Sequence, residues 1–402
     1  MTHEDIDEHA AFRSEARRWL DANAPRFAIK DGEVLSETEL VARGRAWQQA
    51  LHEGGFAGIR IPEAHGGRGG TSAQAKIFAQ EEGRWRLPKG AYIGIGMSMA
   101  LPVIRAHGSP EQIARFVTPT LKGQMTWCQL FSEPGAGSDL AALRTSAVRD
   151  GDDWIINGQK IWSSWAHHAD WGILIARSDF KAPKHKGLTF FVVDMRTGGI
   201  DVRPIRQISG ASDFNETFMD DVRIPDSDRI GAVGEGWAAT MTTLMGERLG
   251  VGSEDRHGVA ALIRYAAATR RGDGVALDSD AVRLSLASAY AEEMATRAFQ
   301  GRLNAMAARG ENPGAAAAMI KLAYSARFQK TSGLALELRG PAGIAPEAGD
   351  AETRRIQHDY IWSSAMRIAG GADEVLRNQV AERILGMPGE IRTDKTLPFD
   401  QI

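Results

Sequence analysis

The sequence predicts an α+β chain of several domains: helices first, a β-rich stretch in the middle, and helices again to the end. Three observations carry this. Apolar residues recur at helical spacing through the first part of the chain and again after Gly236. Between these parts, short apolar runs are bounded by turn residues, as in a compact β-domain. The 402 residues are enough for two or three units with a substantial core. The boundaries are placed at 1–124, 125–232 and 233–402.

In the first part, Phe12, Ala16, Trp19 and Leu20 recur at helical spacing, and Pro25 closes the segment. Leu40, Ala46, Trp47 and Leu51 mark a second helix ending at Gly54-Gly55, and Ile61 to Gly70, with Pro62 and four glycines, is an irregular loop. Ser109-Pro110-Glu111-Gln112 reads as a helix start, with serine at the cap and proline at the first helical position. From Met125 the texture changes. Asp150-Gly151 and Asn157-Gly158 suit tight hairpin turns, and β-rich runs cover Trp171–Ala176, Leu188–Val193, Val202–Ile208 and Phe214–Ile224. Helical stretches then span Met241–Ala268, Asp280–Ala308 and Gly314–Leu338, the middle one with Leu286, Tyr290, Phe299, Leu303 and Met306 as its apolar face. A last helix is expected from Asp373 to Leu385.

Composition narrows the function. A net charge of −3 without a basic run gives no footing for nucleic acid, and no apolar run is long enough to span a bilayer. The lone Cys128 excludes an intrachain disulfide and fits a reducing compartment. The acidic start, Met1-Thr2-His3-Glu4-Asp5, argues against a presequence, and Phe399-Asp400-Gln401-Ile402 is not a peroxisomal address, so a cytoplasmic protein is expected.

The most informative stretch is Phe131-Ser132-Glu133-Pro134-Gly135-Ala136-Gly137-Ser138-Asp139-Leu140. Its proline and glycines exclude a regular helix or strand interior. A tight loop remains, whose backbone N–H groups and two serine hydroxyls suit phosphate or flavin oxygens. Trp154-Ile155-Ile156-Asn157-Gly158-Gln159-Lys160-Ile161-Trp162-Ser163-Ser164 follows it. Together these stretches strongly resemble the signature of the acyl-CoA dehydrogenase family of flavoenzymes. Lys186–Asp194, Phe214–Pro225 and Arg377–Gly386 match as well, so the resemblance covers nearly the whole chain in order.

That resemblance implies a helical N-terminal domain, a β-barrel-like middle domain and a C-terminal four-helix bundle. It implies bound FAD, an acyl-CoA thioester dehydrogenated between its α and β carbons to the trans-2-enoyl-CoA, and an electron-transfer flavoprotein as acceptor. The usual catalytic glutamate before the last helix is replaced, because Gly370 stands there. A second family position for the base, used by the isovaleryl and long-chain types, is filled by Glu247, followed by Arg248 near the substrate. The resemblance gives the Gly370 backbone N–H a share in holding the thioester carbonyl. It brings Gln129, Ser132, Ser138, Trp162 and Ser164 to the flavin.

Two departures stand out. The Arg-x-x-Phe-Gly motif whose arginine meets a neighbouring subunit's flavin reads Thr269-Arg270-Arg271-Gly272-Asp273-Gly274, leaving Arg270 or Arg271 as the candidate replacement. The segment that meets the neighbour's adenosine reads Arg339-Gly340-Pro341-Ala342-Gly343. These changes resemble a bacterial subgroup acting on bulky substrates, including steroid side chains, where two different subunits can share a flavin site. Homotetramer and heterotetramer stay equally open. The rival readings are a flavin oxidase or monooxygenase on the same scaffold, and a flavin-free subunit supporting an active paralogue. No metal is expected: His167 and His168, read as neighbours on a strand, point to opposite faces. Glu133 and Asp139 read as acceptors that fix their loop.

Overall fold

The structure, a computed structural model, describes residues 3–30, 33, 35–250, 258–309, 311, 314–347, 349–392, 394 and 396–402. It divides into two units, one of residues 1–207, 212–247 and 392–402, the other of 208–211 and 248–391.

Helices open the first unit: α1 (His3–Asn23), α2 (Glu37–Glu53), α3 (Ser72–Glu82), α4 (Ala91–Ile95), α5 (Leu101–His107) and α6 (Pro110–Leu121). Side chains start three of them. Ser36, Thr71 and Ser109 each accept from the backbone three residues on, and Glu39, Gln74 and Gln112 answer them in full capping boxes. Gln112 does more than cap: its amide donates to the carbonyls of Ser227 and Arg229 at 2.7 and 2.8 Å, fastening α6 to the β-region. Phe12, Leu20, Trp47, Phe56 and Phe78 form the buried centre of the helical part.

The β-region is one eight-stranded sheet: β1 (Trp127–Leu130), β2 (Ser146–Asp150), β3 (Asp153–Lys160), β4 (Trp171–Arg177), β5 (Leu188–Asp194), β6 (Ile200–Ile205), β7 (Phe214–Pro225) and β8 (Arg229–Ile230). The order runs β6-β7-β3-β2-β4-β5-β8, with β1 joined parallel to β4. The apolar run Trp171–Ala176 of β4 is buried throughout, as a strand covered on both faces requires, and Arg177 at its end is buried on the carbonyls of Ala141, Leu143 and Lys184.

Asp150-Gly151 makes the expected hairpin between β2 and β3. Asn157-Gly158 does not turn. It lies inside β3, at a bulge against β7, and Gly158 takes φ 154° while an added Cβ would lie 2.5 Å from Thr145 Oγ1. Asn157 closes the bulge by exchanging hydrogen bonds with Asp221 at 2.9 Å. The Asn-Gly pair therefore serves an irregular strand here, since tertiary pairing decides between a bulge and a turn.

α7 (Gly236–Gly250) leaves the sheet. The expected continuous helix to Ala268 appears as α7 and α8 (Val259–Ala268), with 251–257 outside the described residues. A short hairpin follows, β9 (Arg270–Arg271) with β10 (Gly274–Val275), then α9 (Asp280–Ala308), α10 (Ala316–Arg339), α11 (Ala351–Met366) and α12 (Asp373–Arg383). α10 packs against α8, α9, α11 and α12 around Leu262, Leu286, Ala335, Leu338 and Ile356. Buried Glu293 of α9 accepts from the backbone N–H of Val259 at 2.8 Å, tying α9 to the start of α8. On α9, Leu286 and Leu303 face the core as expected, whereas Tyr290 is exposed. The inner row is Leu286, Ala289 and Glu293, spaced three and four residues apart, which turns Tyr290 aside. No helix among the described residues is long and apolar enough to cross a membrane.

Candidate active site

β1 ends at Leu130, and the Ser132–Ser138 loop begins at once. Reciprocal backbone hydrogen bonds between Glu133 and Ala136, both 3.0 Å, close it into a turn over Pro134-Gly135. The Glu133 carboxylate accepts from the backbone N–H groups of Arg144 and Thr145 at 2.7 and 2.9 Å, and from Lys160 Nζ at 2.9 Å. Lys160 is wholly buried and also donates to the Phe131 carbonyl at 3.0 Å. Burial pushes its ammonium down to about 8, with Glu133 opposing that fall. Burial raises the Glu133 carboxyl, but Lys160 and the two backbone donors outweigh it and hold the group below its ordinary range. At the loop's far end Asp139 accepts from Lys184 at 2.5 Å, and the same ammonium reaches Asp394 at 2.6 Å. Both acids thus fix the loop.

The second wall leaves β3. Ile161 N–H donates to the Ser132 carbonyl at 2.9 Å, joining the two stretches. Ser163 and Asn215 exchange backbone hydrogen bonds at 3.0 and 3.1 Å, and Asn215 Nδ2 adds a third to the Ser163 carbonyl at 2.9 Å. Held there, Trp162 adopts φ 62°, a left-handed backbone unfavourable for a bulky residue. Its ring meets only the edge of Phe214 among described aromatic rings, and it is 57% exposed. Trp162 is therefore not a core aromatic at the end of its strand. Gln129, Ser132 and Ser164 are half-buried and Ser138 is exposed. None of these four side chains has a hydrogen-bond partner among the described residues.

The remaining expected residues fall elsewhere in the chain. Glu247 and Arg248 lie on α7, but their side chains are outside the described residues. Gly370, Arg270 and Arg271 belong to the second unit. Gly370 and Gly371 have φ 68° and 101°, values that favour glycine, so Gly370 is fitted to its backbone. Arg270 and Arg271 are both exposed in the hairpin strand, and Arg271 donates to the Glu337 carbonyl at 2.8 Å.

The histidine expectation needs correction. His167 and His168 are on the 3-10 turn Ala166–His168, not a strand, and their ring centroids are 4.2 Å apart. The turn directs both toward Glu37 of α2, whose Oε2 lies 3.2 and 3.4 Å from their Nε2 atoms. Sequence reasoning also passed over Lys160 and Asn215, which hold the two walls. Alternation along the strand, which puts Lys160 on the same face as Trp154 and Ile156, was the available sign for the first.

Residues 6–124, 128–222 and 234–385 match the N-terminal, middle and C-terminal domains described for acyl-CoA dehydrogenase. Acyl-CoA dehydrogenase FadE34 of Mycobacterium tuberculosis is 39% identical over 85% of this chain, which spans 46% of FadE34's length. Acyl-CoA dehydrogenase IpdE1 of the same organism is 36% identical, with 97% of this chain and 100% of IpdE1 covered. Among solved structures, the Tcur3481-Tcur3483 steroid ACAD superposes with TM-score 0.81 and 28% identity, covering 96% of this chain and 98% of its own. The ChsE4-ChsE5 complex from Mycobacterium tuberculosis gives 0.78 at 26% identity, with 97% and 99% covered.

Proposed function

This chain belongs to the acyl-CoA dehydrogenase family, a family of FAD-dependent oxidoreductases, and from that premise we propose that it converts a bulky acyl-CoA to its trans-2-enoyl-CoA. The observation that carries the reading is the pair of joined walls. An exposed Trp162 on a strained backbone stands beside half-buried and exposed hydroxyls that have no protein partner among the described residues. Such a surface fits a flat ring with polar edges: Trp162 supplies the apolar face, while Ser164, Ser132, Ser138 and Gln129 supply polar contacts. FAD, when bound, supplies the acceptor for the hydride leaving the β-carbon.

The chain's own residues do the rest. Glu247 takes the α-proton, and Arg248 lies beside the substrate. Desolvation by a bound thioester would raise the Glu247 carboxyl toward neutrality, where a base works best. The Gly370 N–H polarises the thioester carbonyl, and Arg270 or Arg271 is the arginine that reaches the flavin of a second subunit. The boundaries 1–124, 125–232 and 233–402 stand as the proposed domains. The steroid description of one structural neighbour and the two-component character of both favour a wide acyl group and a partner subunit. An electron-transfer flavoprotein is the proposed acceptor, and the cytoplasm the proposed compartment.

The test is an absorbance spectrum, alone and during anaerobic titration with linear, branched and steroid side-chain acyl-CoAs. A yellow protein that bleaches with one thioester class, while Glu247→Gln stays yellow and does not bleach, is expected. Undiminished bleaching in Glu247→Gln removes that residue as the base. A protein that remains colourless both alone and with its partner subunit overturns the FAD reading.

A further inference from the structure

We propose that Glu37, His167 and His168 form a binding site for one divalent transition-metal ion of the zinc class. The residues come from two places, 130 positions apart: Glu37 is the first residue of α2, and the histidines end the turn that follows Trp162–Ser164. One ligand atom from each lies within 4.8 Å of the others. A tetrahedral ion with bonds of about 2.0–2.1 Å separates neighbouring ligands by roughly 3.3 Å. The Glu37 Oε2 distances to the two Nε2 atoms, 3.2 and 3.4 Å, already match that edge.

The decisive detail is the orientation of His167. Asn215 donates through Nδ2 to the Ser163 carbonyl, so its Oδ1 is the free acceptor. His167 Nδ1, 2.9 Å from that Oδ1, must therefore donate. In the neutral imidazole this leaves the Nε2 lone pair facing the Glu37 carboxylate, acceptor against acceptor. A cation between them resolves the conflict, and an amide oxygen behind a ligating histidine is the partner that orients it. His168 Nε2 supplies the second nitrogen. Trp165 lies against both rings, at centroid distances of 5.9 and 5.6 Å, and is pinned by its N–H to the Asp213 carbonyl at 2.7 Å.

Two imidazoles and one carboxylate suit zinc and its neighbours in the transition series rather than magnesium or calcium, which prefer oxygen alone. Side-chain exposures of 46% for Glu37 and of 18% and 23% for the histidines give the ion an entry path and leave a coordination position for water. A bound ion would clip α2 to the segment bearing Trp162 and Ser164. The alternative cation is a proton on imidazole, and the test separates the two.

The experiment is calorimetric titration of ZnCl2 into the tag-free, metal-stripped holoprotein, with Co2+ absorption as a coordination readout. One ion per chain is expected, with tetrahedral cobalt bands, and affinity more than about tenfold weaker in both His168→Gln and Glu37→Gln. Circular dichroism checks that each variant is folded; should His168→Gln fail, Glu37→Gln, altering an exposed residue at a helix start, carries the same comparison. Absence of one-to-one binding in the wild type, or equal affinity in a folded variant, overturns the proposal.

Discussion

Lys321 Nζ donates to the carbonyl oxygen of Gly371 at 2.9 Å and, through the same ammonium, to Asp373 Oδ1 at 2.9 Å. Lys321 is on α10 and Asp373 is the first residue of α12, and their side chains are 1% and 2% exposed. Arg367 at the end of α11 binds the other oxygen of Asp373. Burial disfavours the Asp373 carboxylate, but Lys321 and Arg367 hold its carboxyl below the ordinary range. One buried acid thus gathers three helices, and the Gly370-Gly371 turn hangs from the same lysine. Lys321→Met leaves Asp373 with Arg367, the Ser325 hydroxyl at 3.3 Å and Arg377 at 3.9 Å, but removes its buried ammonium partner, so the expected loss is about 3 kcal/mol, the low end for breaking a buried pair. Chemical denaturation measures it. A change within about 0.5 kcal/mol, typical of surface sites, would show that the lysine is replaceable.

The two acids of the Ser132–Ser138 loop should rank differently. Glu133→Gln strips the charge facing a fully buried lysine, and about 2–3 kcal/mol of stability should go with it. Asp139→Asn acts at a side chain that is 60% exposed, and Lys184 retains Asp394, so less than about 1 kcal/mol is expected. Urea midpoints give the ranking. Retained flavin after dialysis should fall in the same order, because the loop whose geometry loosens is the one proposed to hold it. Equal effects would mean that the Glu133 contacts are a consequence of the loop's shape and not its cause.

Local rules were the most legible. Ser109-Pro110 with Gln112 three residues beyond the cap fixes a helix start through contacts inside four residues, and α6 begins there. Asp150-Gly151 likewise decides its own turn. Asn157-Gly158 misleads because its conformation depends on Asp221, 64 residues away, and on Thr145 filling the space where a Cβ would stand. His167-His168 misleads for a similar reason: an alternating strand was assumed, whereas Asn215 and Asp213 shape a tight turn. For the candidate site, the family signature singles out Ser132, Ser138, Trp162 and Ser164 as the proposed flavin contacts. The charges beneath them, Lys160 and Glu133, gain their meaning only when strand pairing places them together, and neither periodicity nor composition reports that.

Glu81 gives acid sensitivity a definite sign. It is buried on α3 and accepts from Arg13 at 2.7 Å and Arg17 at 2.9 Å, and the Arg17 hydrogen bond leads in lowering its carboxyl to about 2. The unfolded value is 4.5, so the folded state binds fewer protons between 4.5 and about 2. Stability from this group is complete above the upper value and is lost as pH falls through the lower one. The stability difference between wild type and Glu81→Gln should therefore be constant near neutrality and shrink across that window. Because both arginines are well exposed, roughly 1–2 kcal/mol is expected at the plateau. A pH-independent difference would assign the effect of Glu81→Gln to packing.

Trp162 sets local stability against ligand capture. Its φ of 62° costs a non-glycine residue about 1–2 kcal/mol, and its exposed ring recovers little of that in the flavin-free chain. Asparagine tolerates this backbone better and lacks the broad apolar face. Trp162→Asn should raise the stability of the flavin-free protein by about 0.5–1 kcal/mol, less than the full strain because the edge contact with Phe214 is lost. The same change should release flavin more readily, read as growing flavin fluorescence on dilution. The two readouts must move in opposite directions if the strain is kept to present the ring to its ligand. A variant that loses stability and holds flavin as well as the wild type would instead make Trp162 a packing residue for Phe214.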